Sequence, residues 1–276
     1  MNKLNPMKIN SYKAIAFLAI LISSFSFAPE KVKPMLKEEV VTYISEGVTL
    51  KGFVVYDENQ SGKRPAILVV HEWWGLNKYA KSRAKQLASM GYIAMAVDMY
   101  GGGTTALNPQ QAQELATPFY KNPQLGKNRL DAALNKVKEF SQTDTNKIVA
   151  IGYCFGGSVV LNSAKLGADL KGVVSFHGGL AGVQVNKELL KAKILVCHGG
   201  ADKFVPEKDV IHFKHSLDSI GAEYTFKVYA NATHAFTNPE STKTGKQFNM
   251  PIEYNESADR ASWIEMQKFL NSLFEK

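Results

Sequence analysis

Short apolar runs recur along the chain and are separated by longer amphipathic segments. Runs of this kind are typical of strands that are buried on both faces of a parallel sheet. They predict strands at 66–70, 92–97, 147–151, 172–176, 194–197 and 224–229. The amphipathic segments predict helices at 79–90, 109–120, 125–140, 155–166, 206–220 and 257–274. This alternation of strand and helix predicts a mostly parallel central sheet that is flanked by helices on both faces.

An earlier segment, Val40 to Tyr56, alternates apolar and polar residues around Glu46-Gly47. Alternation about such a turn predicts an N-terminal β-hairpin. We find no internal repeat and no composition shift that would divide residues 36–276, so we interpret this range as a single domain. Hydrophobic residues make up 45% of the chain and charged residues 21%, which is ordinary for a globular enzyme.

The first 28 residues have a different pattern. Lys3, Lys8 and Lys13 precede an apolar run from Ala14 to Phe27, and no acidic residue occurs before Glu30. A basic start, a short apolar core and small residues near its end predict a signal peptide at 1–28, and hence a periplasmic or secreted protein. An uncleaved anchor or a buried first helix are the alternatives.

The net charge and the distribution of basic residues limit the kinds of molecule that the protein is expected to bind. Cleavage after residue 28 removes three lysines and no acidic residue, so the net charge falls from +8 to +5. The remaining lysines are scattered, without an arginine-rich stripe or interleaved aromatic residues, which argues against nucleic-acid binding. We expect a monomer or small homo-oligomer that binds a small molecule and has no stable membrane association after signal cleavage.

The strongest chemical signal is Gly152-Tyr153-Cys154-Phe155-Gly156-Gly157, which follows a predicted strand and begins a predicted helix. The G-x-S-x-G nucleophile elbow of α/β-hydrolases has this form, with cysteine here in place of serine. The positive end of the helix dipole favours a thiolate at this position. The alternative is a buried structural cysteine beside a glycine-rich turn.

A nucleophile needs a base, and the base needs an orienting acid. α/β-Hydrolases place these in the order nucleophile, acid, histidine. Asp202 and His234 follow Cys154 in that order, each just after a predicted strand, where open α/β sheets form their sites. The sequence therefore predicts an α/β-hydrolase fold with a Cys154–His234–Asp202 triad. A loop or helix cap for Asp202, and a surface loop for His234, are the alternatives.

The loop His71-Glu72-Trp73-Trp74-Gly75 follows the first parallel strand, in the position that normally supplies one oxyanion N–H. We predict that the backbone amides of Trp73 and Phe155 hold the oxyanion. Glu72 would lie beside the thiol and either keep it neutral or accept its proton; a solvent-exposed loop acid is the alternative. Trp74 and Tyr100 are predicted to line an apolar acyl pocket, with Trp73, or else to serve in packing.

The other histidines and the second cysteine receive no catalytic role. His198 is expected to hydrogen-bond in the core, and His212 and His215 to lie on the surface of one helix. His177 is also left without a function. Cys197 ends a predicted strand one residue before His198, so it is expected to be buried. A Cys154–Cys197 disulfide is not expected, because it would consume the nucleophile. The sequence predicts no metal site and no cofactor.

Taken together, these motifs resemble the dienelactone hydrolase family. The resemblance rests on the cysteine elbow, the His71–Gly75 loop, Asp98-Met99-Tyr100, Asp202 with Val205-Pro206, and His234-Ala235-Phe236, and covers roughly residues 40–276. It implies that Cys154, Asp202 and His234 form the triad and that Glu72 activates the thiol as substrate binds.

Two departures from that family concern the substrate. Dienelactone hydrolases bind the substrate carboxylate with two arginines, where this chain has glycines at 101–103 and Asn238. We therefore expect a carboxylic ester or lactone other than dienelactone, cleaved through an acyl-thioester intermediate. The alternatives are a non-catalytic binding protein with this fold, and a thiol redox protein that uses Cys154 and Cys197.

Overall fold

The computed structural model describes residues 1–3 and 33–274. The predicted signal peptide at 1–28 therefore lies almost wholly outside the described residues. Contacts divide the chain into two units, 1–33 and 34–276, and the second contains every strand and helix described below. No helix among the described residues is long and apolar enough to cross a membrane.

A single eight-stranded sheet forms the centre of the second unit. Its strands are β1 (Leu36–Ser45), β2 (Val48–Asp57), β3 (Arg64–Val70), β4 (Ile93–Val97), β5 (Thr143–Tyr153), β6 (Gly172–Phe176), β7 (Lys193–Gly199) and β8 (Tyr224–Tyr229). They lie in the order β1-β2-β4-β3-β5-β6-β7-β8. Strands β3 to β8 are parallel, and β2 pairs antiparallel with both β1 and β4. The predicted mostly parallel sheet is confirmed.

The predicted N-terminal hairpin is also confirmed, as β1 and β2. Glu46 and Gly47 both have positive φ, at 49° and 76°. Two consecutive residues in this region form the tight turn whose twist matches that of the flanking strands. The ladder pairs Ser45 with Val48 next to the turn and extends to Leu36 opposite Asp57.

Seven helices cover the sheet: α1 (Lys78–Ser89), α2 (Pro109–Lys121), α3 (Pro123–Lys138), α4 (Phe155–Lys165), α5 (Glu207–Ser219), α6 (Ser241–Phe248) and α7 (Glu256–Phe274). Side chains of β3 alternate between two cores: Leu68 packs with residues of α2 to α5, and Ile67 packs with residues of α1 and α7. Because both faces are covered, strands β3, β4, β6 and β7 are almost wholly buried and mostly apolar, as the sequence pattern indicates.

Helix α6 is the one element that the pattern did not predict. Its sequence is mostly polar, and only Ser241 and Gly245 are buried. A side chain at Gly245 would meet the Ile252 carbonyl oxygen at 2.4 Å, so glycine is needed where the following segment crosses the helix. This close approach cannot be deduced from hydrophobic spacing.

Candidate active site

The turn between β5 and α4 holds Cys154 in a backbone conformation that side chains rarely adopt, with φ 53° and ψ −114°. Close packing enforces it. A Cβ on Gly152 would lie 2.0 Å from the Gly156 carbonyl oxygen, and one on Gly156 would lie 2.4 Å from that of Val70. The glycines on either side of the cysteine therefore allow the strand and helix to meet at a sharp angle, which leaves the thiol partly exposed at the turn.

Three side chains from separate loops meet at this turn. His234 Nε2 lies 3.0 Å from Cys154 Sγ, and His234 Nδ1 lies 2.8 Å from Asp202 Oδ2. Asp202 follows β7 and His234 follows β8, so both lie at the carboxyl edge of the sheet, next to the elbow. The Phe204 backbone N–H donates to the second oxygen of Asp202 at 2.8 Å, which fixes the carboxylate plane.

The charge of His234 reflects these neighbours. Burial lowers the pKa of His234, but Cys154 and Asp202 together raise it further, so that the net pKa lies above the ordinary histidine value. The protonated form of the imidazole is thus favoured next to Cys154 Sγ.

Two backbone amides beside the thiol are free to bind an anion. Phe155 begins α4, so its N–H lacks an acceptor within the helix, as the first residues of helices do. Within residues 33–274 neither the Phe155 nor the Trp73 N–H has a hydrogen-bond acceptor. The loop of Trp73 is fastened to the elbow, because the Gly156 N–H donates to the His71 carbonyl at 3.1 Å.

His71 holds that loop from inside. Its ring is fully buried, and burial lowers its pKa to about 4, so the ring is neutral. The Met99 N–H points at His71 Nε2 at 3.4 Å, which leaves the proton on Nδ1, 2.5 Å from the Glu72 carbonyl oxygen. The ring thereby links the loop after β3 to the loop after β4.

Glu72 is buried, with 3% of its surface exposed, and lines the same cavity as Cys154. Asn238 Nδ2 donates to Glu72 Oε2 at 2.7 Å. Burial raises the pKa of Glu72 to about 7, against the opposing effects of Asn238, His234 and Arg83. The solvent-exposed alternative for this acid is therefore wrong. A carboxyl that titrates near neutrality can exchange a proton with its surroundings at working pH.

The cavity in front of the thiol has a volume of about 490 Å³, within the usual range for small-molecule sites. Trp73 and Trp74 line it, with ring centroids 5.3 Å apart. Tyr100 does not belong to the lining, so its predicted place in the pocket is wrong. Its hydroxyl instead donates to the Trp73 carbonyl at 2.9 Å, which supports the loop from behind. Tyr120, from α2, supplies a lining aromatic that the sequence did not indicate.

His177, which was left without a role, lies directly behind the nucleophile. The Cys154 backbone N–H donates to the Phe176 carbonyl at 3.0 Å and also to His177 Nδ1 at 3.1 Å. The proton of the His177 ring is therefore on Nε2, which donates to Thr237 Oγ1 at 2.7 Å. Burial lowers the pKa of His177 well below its usual value, which keeps the ring neutral. Its position at the end of β6, on the edge where the site forms, was the signal in the sequence.

Helix α7 does more than pack against the sheet. Asp259 in α7 accepts from Arg83 Nη2 at 2.5 Å, and the same nitrogen donates to the Thr237 carbonyl at 2.6 Å. Thr237 is the residue whose hydroxyl meets His177. The last helix thus fixes the loop that carries His234 through a buried ion pair with α1.

The second cysteine and three further histidines lie outside the group formed by Cys154, His234 and Asp202. Both cysteines are free, and Cys197 is fully buried, which raises its pKa to about 12. His198 was expected to hydrogen-bond in the core, but its buried Nδ1 has no partner within the described chain, because the ring contacts Phe226. His212 and His215 are exposed on α5. The described residues contain no metal-binding cluster of His, Cys, Asp and Glu side chains.

The fold and the strained turn at Cys154 are those of the α/β class of hydrolases. Residues 50–274 match the dienelactone hydrolase family, and the chain belongs to that family. A relative from Aquifex aeolicus (strain VF5), named provisionally as a carboxymethylenebutenolidase, is 30% identical over 72% of this chain and 87% of its own. A relative from Aquifex pyrophilus, named protein usf, is 29% identical with the same coverage.

Solved structures agree. A dienelactone hydrolase-like promiscuous phosphotriesterase from metagenomic libraries superposes with a TM-score of 0.81 at 30% identity, covering 86% of this chain and 98% of its own. A dienelactone hydrolase from Klebsiella pneumoniae subsp. pneumoniae MGH 78578, also named provisionally, has a TM-score of 0.73 at 20% identity, over 86% and 98%. The second supports the fold alone. The chain is a dienelactone hydrolase-like enzyme that acts on esters or lactones.

Proposed function

We propose that the protein hydrolyses a carboxylic ester or lactone with Cys154 as the nucleophile, His234 as the proton carrier and Asp202 as the residue that orients His234. One observation carries the proposal. The thiol, the imidazole and the carboxylate form a continuous chain of contacts of 3.0 Å and 2.8 Å at a strained strand-to-helix turn. A cysteine kept only for packing has no use for this geometry.

In acylation, the Cys154 thiolate attacks the carbonyl carbon, a C–S bond forms and the carbonyl oxygen becomes an oxyanion. The N–H groups of Phe155 and Trp73 stabilise that charge. The tetrahedral species then collapses, the C–O ester bond breaks, and the leaving alkoxide takes the proton from His234. For a lactone, the alcohol remains attached to the acyl group.

In deacylation, water attacks the thioester carbonyl and gives a proton to His234. Collapse of the second tetrahedral species breaks the C–S bond, releases the carboxylic acid and restores the thiolate, which the imidazolium again stabilises. Asp202 holds Nδ1 throughout and so keeps Nε2 directed at the sulfur. Glu72 is placed to receive or return a proton at the cavity wall when substrate displaces its neighbours.

The test is hydrolysis of a panel of p-nitrophenyl esters and simple lactones by the wild type, Cys154→Ala and Cys197→Ala. Cys154→Ala should lose activity by at least about a thousandfold. Cys197→Ala, which removes the buried thiol, should stay within about twofold of the wild type. Intact mass after mixing with a slow ester should show one acyl group on the wild type. Activity that survives in Cys154→Ala would refute the nucleophile.

Phosphate triester hydrolysis is a second candidate. It is favoured by the 30% identity and the TM-score of 0.81 to the promiscuous phosphotriesterase. The same thiol would attack phosphorus, forming an S–P bond as the P–O bond to the aryloxide leaving group breaks, and water would then cleave the S–P bond and restore the thiol. The same two N–H groups would face the phosphoryl oxygen. Release of p-nitrophenol from a dialkyl p-nitrophenyl phosphate by the wild type, with none from Cys154→Ala, would support this activity. No release from the wild type would exclude that triester as a substrate.

We also propose that the chain is exported to the periplasm or medium. The support is the basic start and short apolar run of the first 28 residues. Fractionation of cells that express the full chain, with the mature N-terminus read by mass spectrometry, tests this. Full-length protein that stays in the cytoplasm would refute it.

A further inference from the structure

The catalytic cavity is lined by carboxyl groups and, within the described chain, by no lysine or arginine. Two carboxyl groups line it: Glu72 at the back, and Asp209 on the first turn of α5. Within residues 33–274 Asp209 forms no ion pair, in contrast to Asp259, which pairs with Arg83. The cavity is therefore acidic although the whole chain has a net charge of +8.

The reacting groups add to this charge rather than offset it. A proton that moves between Cys154 and His234 changes the charge of each but not their sum, which is zero. Asp202 behind them contributes one negative charge in either case. The positive end of α4 points at the oxyanion position, within its first turn, and does not reach the tail of a substrate.

The rest of the wall is apolar and aromatic. Trp73, Trp74, Tyr120 and Phe204 line the cavity, with Leu180 and Ile252. Aromatic faces attract cations and accept neutral apolar groups, whereas an anion between them loses its hydration without gaining a partner. The carboxyl groups and the aromatic rings of the wall both favour a ligand that is neutral or positively charged over an anionic one.

From this we infer that the enzyme selects esters whose acyl group is neutral or positively charged, and that it rejects esters that carry a carboxylate. The inference rests on the ester hydrolysis proposed above. Asp209 is the residue that sets this preference, because among the described lining residues it is the charged group that lies outside the triad and the Glu72 loop.

Three p-nitrophenyl esters test it: the pentanoate, the hydrogen glutarate, which carries a terminal carboxylate, and the γ-trimethylammoniobutyrate. Each rate is divided by the rate of the same ester with a small free thiol, which removes differences in intrinsic reactivity. We expect kcat/KM for the glutarate to be at least tenfold below that for the pentanoate, and that for the ammonium ester to equal or exceed it. Equal values for glutarate and pentanoate would overturn the inference.

Two matched variants test whether Asp209 causes the discrimination against the carboxylate ester. Asp209→Asn should raise the ratio of kcat/KM for the glutarate to kcat/KM for the pentanoate at least threefold. Glu207→Gln makes the same charge change two residues away on α5, where the side chain is exposed and does not line the cavity, and should leave this ratio unchanged. Gln113→Lys, which adds a cation to the wall, should favour the glutarate further. Equal effects of Asp209→Asn and Glu207→Gln would refute the role of Asp209.

The charge preference of the cavity can also be measured without ester hydrolysis, from the rates at which the Cys154 thiol is alkylated. Iodoacetamide is neutral and iodoacetate is its carboxylate analogue, and both alkylate the Cys154 thiol. The ratio of their rates, relative to the ratio for a free thiol, should favour iodoacetamide at least tenfold in the wild type and fall in Asp209→Asn. If no ester is hydrolysed but this ratio holds, the proposed function fails while the charge selection stands. If esters are hydrolysed and the ratio equals that of a free thiol, the selection fails alone.

Discussion

Replacing Glu72 with glutamine tests the buried carboxyl through the stability of the fold. Burial raises the pKa of this group from 4.5 to about 7. A carboxyl with a raised pKa in the folded state contributes stability that is fully present below the unfolded pKa and is lost as the pH rises through the folded pKa. The interval between the two values corresponds to a loss of about 3 kcal/mol from acid to mildly alkaline pH.

Glutamine keeps the oxygen that accepts from Asn238 Nδ2 but cannot ionise, so the variant escapes this loss. The free energy of unfolding of Glu72→Gln, minus that of the wild type, should therefore rise by about 3 kcal/mol between pH values of about 4 and about 8. In melting temperature this is about 6–12 °C for a domain of this size.

Urea unfolding at five pH values across that window measures the difference directly, and subtraction cancels the titration of every unchanged group. The exposed Glu207→Gln variant is the control, and its difference from the wild type should be flat with pH. A flat difference for Glu72→Gln would refute the raised pKa, whatever the absolute stability of the variant.

Further predictions concern the thiols and the elbow. Iodoacetamide should add one group to the folded chain, at Cys154, because Cys197 is fully buried with a pKa of about 12; two groups in the intact mass would contradict this. His177→Phe should lower kcat by about tenfold to a hundredfold with little change in KM, because the Cys154 N–H loses one of its two acceptors and Thr237 loses its partner. His177→Gln should recover part of the lost kcat, and a kcat of His177→Phe equal to that of the wild type would count against a positioning role. Gly156→Ala should lower the free energy of unfolding by at least about 3 kcal/mol, since its Cβ would meet a carbonyl at 2.4 Å; unchanged thermal melting would refute the argument.

The parts of the fold that follow from hydrophobic periodicity could be predicted from the sequence. The buried strands and the helices with a clear apolar face lie close to their expected bounds, and the hairpin follows from alternation about Glu46-Gly47. Helix α6 could not be predicted, because its sequence buries little beyond Ser241 and Gly245 and is held by a segment that crosses it.

Some residues of the candidate site could likewise be predicted from the sequence, and others could not. Cys154, Asp202 and His234 could be named because each follows a strand in the order that the fold requires, and the structure brings them together. Tyr100 was misplaced because its position after β4 fixes the loop but not the direction of its ring. The role of His177 depends on a contact across two strands, which no local pattern contains.

The ion pair between Arg83 and Asp259 has a consequence for the timing of activity during synthesis. Asp259 lies on α7, the last helix of the described chain, yet it steadies the loop that bears His234. A nascent chain whose α7 is still within the ribosome contains Cys154 and His234 but lacks Asp259, and so lacks the ion pair that fixes the loop of His234. Removal of α7 should therefore abolish any activity that depends on His234, although all eight strands remain in the chain.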